Sequence, residues 1–74
     1  MNTPCHWHAP PDTRALHLVR DGAVLGWIAP IGGNWSQWTW TTPHRPWDHG
    51  AQDDRDAAAR ALCRAVGVAM PVLP

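Results

Sequence analysis

Leu16-His17-Leu18-Val19-Arg20-Asp21-Gly22-Ala23-Val24-Leu25-Gly26-Trp27-Ile28 sets two apolar runs on either side of Asp-Gly. That dipeptide between β-formers predicts a hairpin, because a type I′ turn needs positive φ at both central residues and Asp and Gly tolerate it. A tight turn also sets the register. It places Arg20 opposite Ala23, Val19 opposite Val24, Leu18 opposite Leu25, His17 opposite Gly26 and Leu16 opposite Trp27. Directly opposed residues share a sheet face. One face should therefore carry Leu16, Leu18, Leu25 and Trp27, the expected core side. The other should carry His17, Val19, Val24, Gly26 and Ile28.

Working outward, Pro30-Ile31-Gly32-Gly33-Asn34 reads as a bend into a third strand that ends near Thr42. Alternation groups Trp38 and Trp40 with the leucines and leaves Trp35 outside. Residues 43–52 hold Pro43, Pro46 and Gly50 and read as a loop crossing to a helix. Asp53 is the expected N-cap, the helix should run from about Asp54 to Val66, and Gly67 should be its C′ residue. Asp56, Arg60 and Arg64 share one arc of that helix, with Ala58, Ala61, Leu62, Ala65 and Val66 opposite. Met1 to Thr13 carries Pro4, Pro10 and Pro11 and reads as a flexible N-terminal arm. The expected class is α+β: a three-stranded antiparallel meander with one C-terminal helix on one face. The expected segments are an arm (1–13), a β-β-β-α domain (14–67) and a tail (68–74).

The chain has 74 residues, six Trp and no Tyr or Phe. A domain this short buries only roughly 60% of its unfolded surface, so each enclosed indole counts heavily. Lys plus Arg number 6 and Asp plus Glu number 6, for a net charge of zero with neutral histidines. The bases are all Arg and the acids all Asp. A balanced charge argues against duplex DNA or an anionic membrane as partner. No apolar run approaches the roughly eighteen residues of a spanning helix, and no basic-then-apolar leader opens the chain. The expected location is cytoplasmic, with Cys5 and Cys63 as free thiols.

Four functional classes can be weighed. A zinc site would draw on Cys5, His6 and His8 with His44, His49 or Cys63, but there is no Cys-x-x-Cys and adjacent Cys5-His6 cannot easily hold one ion, so neither metal nor cofactor is assigned. Catalysis would need a nucleophile and base on rigid elements, and Cys63, Cys5, Asp48 and His49 do not form such a set, so no enzyme is expected. Single-stranded nucleic acid or RNA could stack on exposed Trp beside Arg, yet the positive excess that follows phosphates is missing. Protein binding fits best, since Trp and Arg are the residues most enriched at interface hot spots. The expected contacts are Trp35, Trp47, Arg20, Arg45 and His17; of these Trp35 and His17, with Val19, Val24 and Ile28, share the sheet face that a single helix leaves open, which the arm and tail or a homodimer would otherwise cover.

The β-β-β-α order resembles part of the double-stranded-RNA-binding domain, which begins with an additional helix and carries a basic cluster where Asp53, Asp54 and Asp56 stand here. More broadly, Leu16-His17-Leu18-Val19, Asp21-Gly22, Gly26-Trp27-Ile28, Gly32-Gly33-Asn34-Trp35 and Trp38-Thr39-Trp40 before an Ala-rich helix resemble the small orphan proteins of phages and prophages in GC-rich bacteria. That resemblance implies an accessory protein that binds and occludes a host protein, as anti-CRISPR proteins do.

Overall fold

The computed structural model describes residues 4–32, 34–43 and 48–74, without the side chains of 34–36. The class is α+β as expected, but among the described residues the sheet has five strands, not three. They are β1 (His6–His8), β2 (Leu16–Arg20), β3 (Ala23–Ile31), β4 (Asn34–Thr42) and β5 (Asp48–Gln52), followed by α1 (Arg55–Val66). All neighbours are antiparallel, in the order β1-β2-β3-β4-β5.

The two added strands come from segments dense in proline and glycine. His6-Trp7-His8, expected in a flexible arm, pairs along β2 instead. The chain gets there through a turn in which Asp12 takes φ 63° and the Thr13 hydroxyl donates to the Pro10 carbonyl at 3.3 Å. The expected loop 43–52 supplies β5, whose Gly50 lies opposite Trp40. Prolines in both segments flank the strands and leave the paired positions free to donate.

Asp21 and Gly22 take φ 54° and 77°, so the predicted turn is present. The register beyond it is not as expected. Arg20 and Val19 face Ala23 and Val24, but Leu18 then faces Gly26, His17 faces Trp27 and Leu16 faces Ile28. Leu25 is the extra residue of a β-bulge, and every position after it changes side. Gly26 and Ile28 thus belong to the core face and Trp27 to the outer one, reversing the expected assignment of all three.

Leu16, Leu18, Ile28 and Trp40 form the core with Ala58, Ala59, Leu62 and Cys63 of the helix. Trp38 packs against it, so both indoles expected inside are on the core side. The bulge has a packing reason: a Cβ at Gly26 would lie 2.5 Å from Leu62 Cδ1 and 2.7 Å from the Thr41 carbonyl oxygen. The helix rests where glycine removes the side chain, and an indole there would hold it off the sheet.

The N-cap is Asp54, one residue later than expected; its carboxylate accepts from the Ala57 N–H at 2.7 Å. Gly67 ends the helix at φ 75°, with the Val68 N–H reaching the Cys63 carbonyl at 3.0 Å. That is the Schellman arrangement. The buried arc is Ala58, Ala59, Leu62 and Cys63, rotated from the expected one, and Ala65 is exposed. Asp56 and Arg60 pair across the exposed side at 2.7 Å.

The helix packs across β3, β4 and β5. Over the β1 end the tail takes its place. Val68 and Met70 pack against the core beside Cys5, Leu73 packs against it closer to Asp56 and Arg60 of the helix, and the Trp7 indole donates to the Pro71 carbonyl at 3.1 Å. Arg55 Nη2 donates to the Pro74 carbonyl oxygen at 3.1 Å, returning the tail to the start of the helix. Helix and tail therefore cover the same face of the sheet.

Candidate functional site: the uncovered face of the sheet

The alternation of paired strands places His6, His8, His17, Val19, Val24 and Trp27 on the other face. Ala29, Thr39 and Thr41 continue it toward β5. The described positions that this register assigns to the face hold no Asp and no Arg. Ala15, His17, Ala23, Val24, Trp27, Ala29 and Pro43 line an open, mostly apolar depression of about 690 Å³.

Aromatic rings form a short row along one end. The His17 ring centre is 6.3 Å from that of Trp27 at 52°, and 6.3 Å from that of His8 at 57°. Each contact joins residues directly opposed on neighbouring strands, His8 to His17 and His17 to Trp27. His17 is consequently held from both sides, while His8 is exposed on the edge strand.

Of the residues expected to bind, His17 lies in the depression. Arg20 does not. It is on the helix side and lines a separate hollow of about 350 Å³ with Pro4, Cys5, Gly67, Val68, Met70 and Pro71. It stands there near the C-terminal end of α1, where a cation suits the helix dipole. Trp47 and Arg45 lie outside the described residues, as does the side chain of Trp35. Trp27 is the residue that sequence reasoning left out of the surface. The available signal was Gly26, since an isolated glycine within a strand pattern marks a bulge.

The sheet also divides the zinc ligands considered from sequence. His6 and His8 point to the uncovered side, while Cys5 packs on the core with Cys63. Among the described residues no group of three or more His, Cys, Asp or Glu side chains is gathered to hold a metal ion. Burial pushes the Cys63 thiol up to about 11, and nearby Cys5 pushes it in the same direction. A thiol so placed carries little thiolate near neutral pH, which suits packing rather than nucleophilic attack. Among the described residues no helix is long and apolar enough to cross a membrane. Comparison of the chain with models of known protein families, with characterised proteins and with solved structures finds no match, and the functional reading stands on the residues themselves.

Proposed function

We propose that this chain is a non-enzymatic interaction module whose uncovered sheet face docks on a larger protein and occludes it. The observation that carries the reading is one-sided covering. Helix and tail both lie on the Leu16–Leu18–Ile28–Trp40 side, and among the described residues no element lies over Trp27, Val24, Ala29 and Pro43, which line an open apolar depression. A face without Asp or Arg among its described positions fits a neutral, apolar protein surface better than a phosphate backbone. Trp27 is the central anchor, with the His17 ring tilted beside it. The resemblance to phage and prophage accessory proteins supplies the expected context, a host protein in a bacterial cytoplasm.

The test is affinity capture from the native host with the wild-type chain, Trp27→Ala and His17→Ala, alongside thermal melts. Trp27→Ala should weaken capture of the same host protein by 2 kcal/mol or more, on the order of a hot-spot loss, while the melt stays close to wild type. Capture that is indifferent to Trp27 would reject this face as the contact. Self-association in sedimentation that Trp27→Ala abolishes would make the occupant a second copy instead, and salt-dependent oligonucleotide shifts would make it nucleic acid.

A further inference from the structure

The His8–His17 pair has a geometry that the docking proposal does not use. The two residues are directly opposed on antiparallel β1 and β2, on the uncovered face, with ring centres 6.3 Å apart. Direct opposition brings the Cβ atoms of such a pair to about 4.5–5.5 Å, so two imidazoles can converge on one point above the sheet. A zinc-type ion sits about 2.0–2.1 Å from each imidazole nitrogen, hence roughly 3.2 Å from each ring centre. Ring centres 6.3 Å apart are thus at the outer limit of a shared ion, and tetrahedral coordination would need the exposed His8 ring to turn toward His17. His17 is kept in place by Trp27 on its other side.

We propose that His8 and His17 form a two-histidine chelate for a divalent transition-metal ion of the zinc, nickel or copper type. Imidazole ligands suit those ions, and the absence of Asp from the described part of this face disfavours magnesium or calcium, which take oxygen ligands. Since no third ligand is gathered among the described residues, water completes the coordination. The ion bridges β1, a strand of 3 residues at the sheet edge, to the better-held β2, so binding should tighten the edge pairing. The inference does not rest on the partner reading.

Trp27 provides the readout, because nickel bound at His17 lies close enough to quench its emission. Nickel chloride is titrated into the whole chain and into His8→Asn, His17→Asn and His49→Asn, followed by tryptophan fluorescence and by thermal melts with and without chelator. Expected is saturable one-to-one quenching that a chelator reverses. It should weaken by about tenfold or more in His8→Asn and in His17→Asn, since even outer-shell changes at metal sites cost 10–100-fold. His49→Asn, on β5 at the far edge, should bind as wild type, and nickel should raise the melting temperature of wild type but not of His8→Asn. Quenching that does not saturate, or that keeps wild-type affinity in His8→Asn or His17→Asn, overturns the site. So does an equal loss in His49→Asn. Melts of the metal-free variants separate loss of the ligand from loss of the fold.

Discussion

One carbon added at Gly26 would meet Leu62 Cδ1 at 2.5 Å and the Thr41 carbonyl oxygen at 2.7 Å, the first fully buried and the second part of the sheet. Neither can move cheaply. Gly→Ala in a strand ordinarily gains stability through the unfolded chain, so the sign of the change isolates the steric effect. Gly26→Ala should destabilise by about 2–3 kcal/mol, the upper part of the overpacking range, measured by denaturant unfolding. Gly50→Ala should also destabilise, because its Cβ would lie 2.5 Å from Trp40 Nε1 and 2.8 Å from Cε2. That nitrogen is a buried donor without an acceptor among the described residues, and the Nε1, Cε2 and Cζ2 atoms of the indole lie against the glycine they would have to leave. Cys63 carries a pH prediction. Its folded thiol is raised to about 11 by burial, above the ordinary value of 9.0. The folded state therefore holds the proton that the unfolded state releases first. Its contribution to stability is complete below about pH 9 and is lost as pH rises toward 11. Unfolding measured from pH 7 to 11 should show that fall in wild type and a shallower one in Cys63→Ala.

At the level of elements, the helix is the part whose ends were most nearly legible. Asp54 accepts the Ala57 N–H, and Asp54→Ala should cost about 1 kcal/mol, with Asp53→Ala costing much less. Two adjacent aspartates made the sequence ambiguous by one position. Gly67 carried no such ambiguity, because only one glycine follows the apolar run. The Asp21-Gly22 turn was legible for the same reason, since positive φ at both positions narrows the choice of residue. The bulge at Leu25, three residues past Gly22, was not. Val24-Leu25-Gly26-Trp27-Ile28 is apolar throughout, so no polar position marks a face; Gly26 hints at a bulge, and the approach of Leu62 to it decides which side each residue takes. The strands β1 and β5 were hidden by local signals. Prolines and glycines around them score as breakers, while their pairing depends on neighbours distant in sequence. For the site the consequence is specific: His17 was placed on the open face, Trp27 was placed inside, and the contact between them was missed.

Over the whole molecule, a five-stranded sheet is covered on one side by two unlike pieces, and their unequal hold predicts how the protein opens. The helix spans β3 to β5 with Leu62 fully enclosed. The tail covers the β1 end with the partly buried Val68 and Met70 and the Trp7–Pro71 hydrogen bond, and the partly buried Leu73 fixes its end on the core. Three half-buried apolar side chains and one hydrogen bond amount to about 2–4 kcal/mol, against a total near 0.05–0.15 kcal/mol per residue for a domain of this kind. The tail and β1 should therefore open together below the global transition, as a separate low-stability unit. Leu73→Ala combined with Met70→Ala should speed amide hydrogen exchange in His6–His8 and in the facing residues of β2, leaving β3, β4 and α1 near wild-type protection. A chain in which one tightly coupled core held every strand would instead lose protection evenly from β1 to β5. Zinc or nickel added to the same double variant offers a second check, because an ion shared by His8 and His17 would restore protection at β1 without touching the tail, whereas repacking of the tail would restore both.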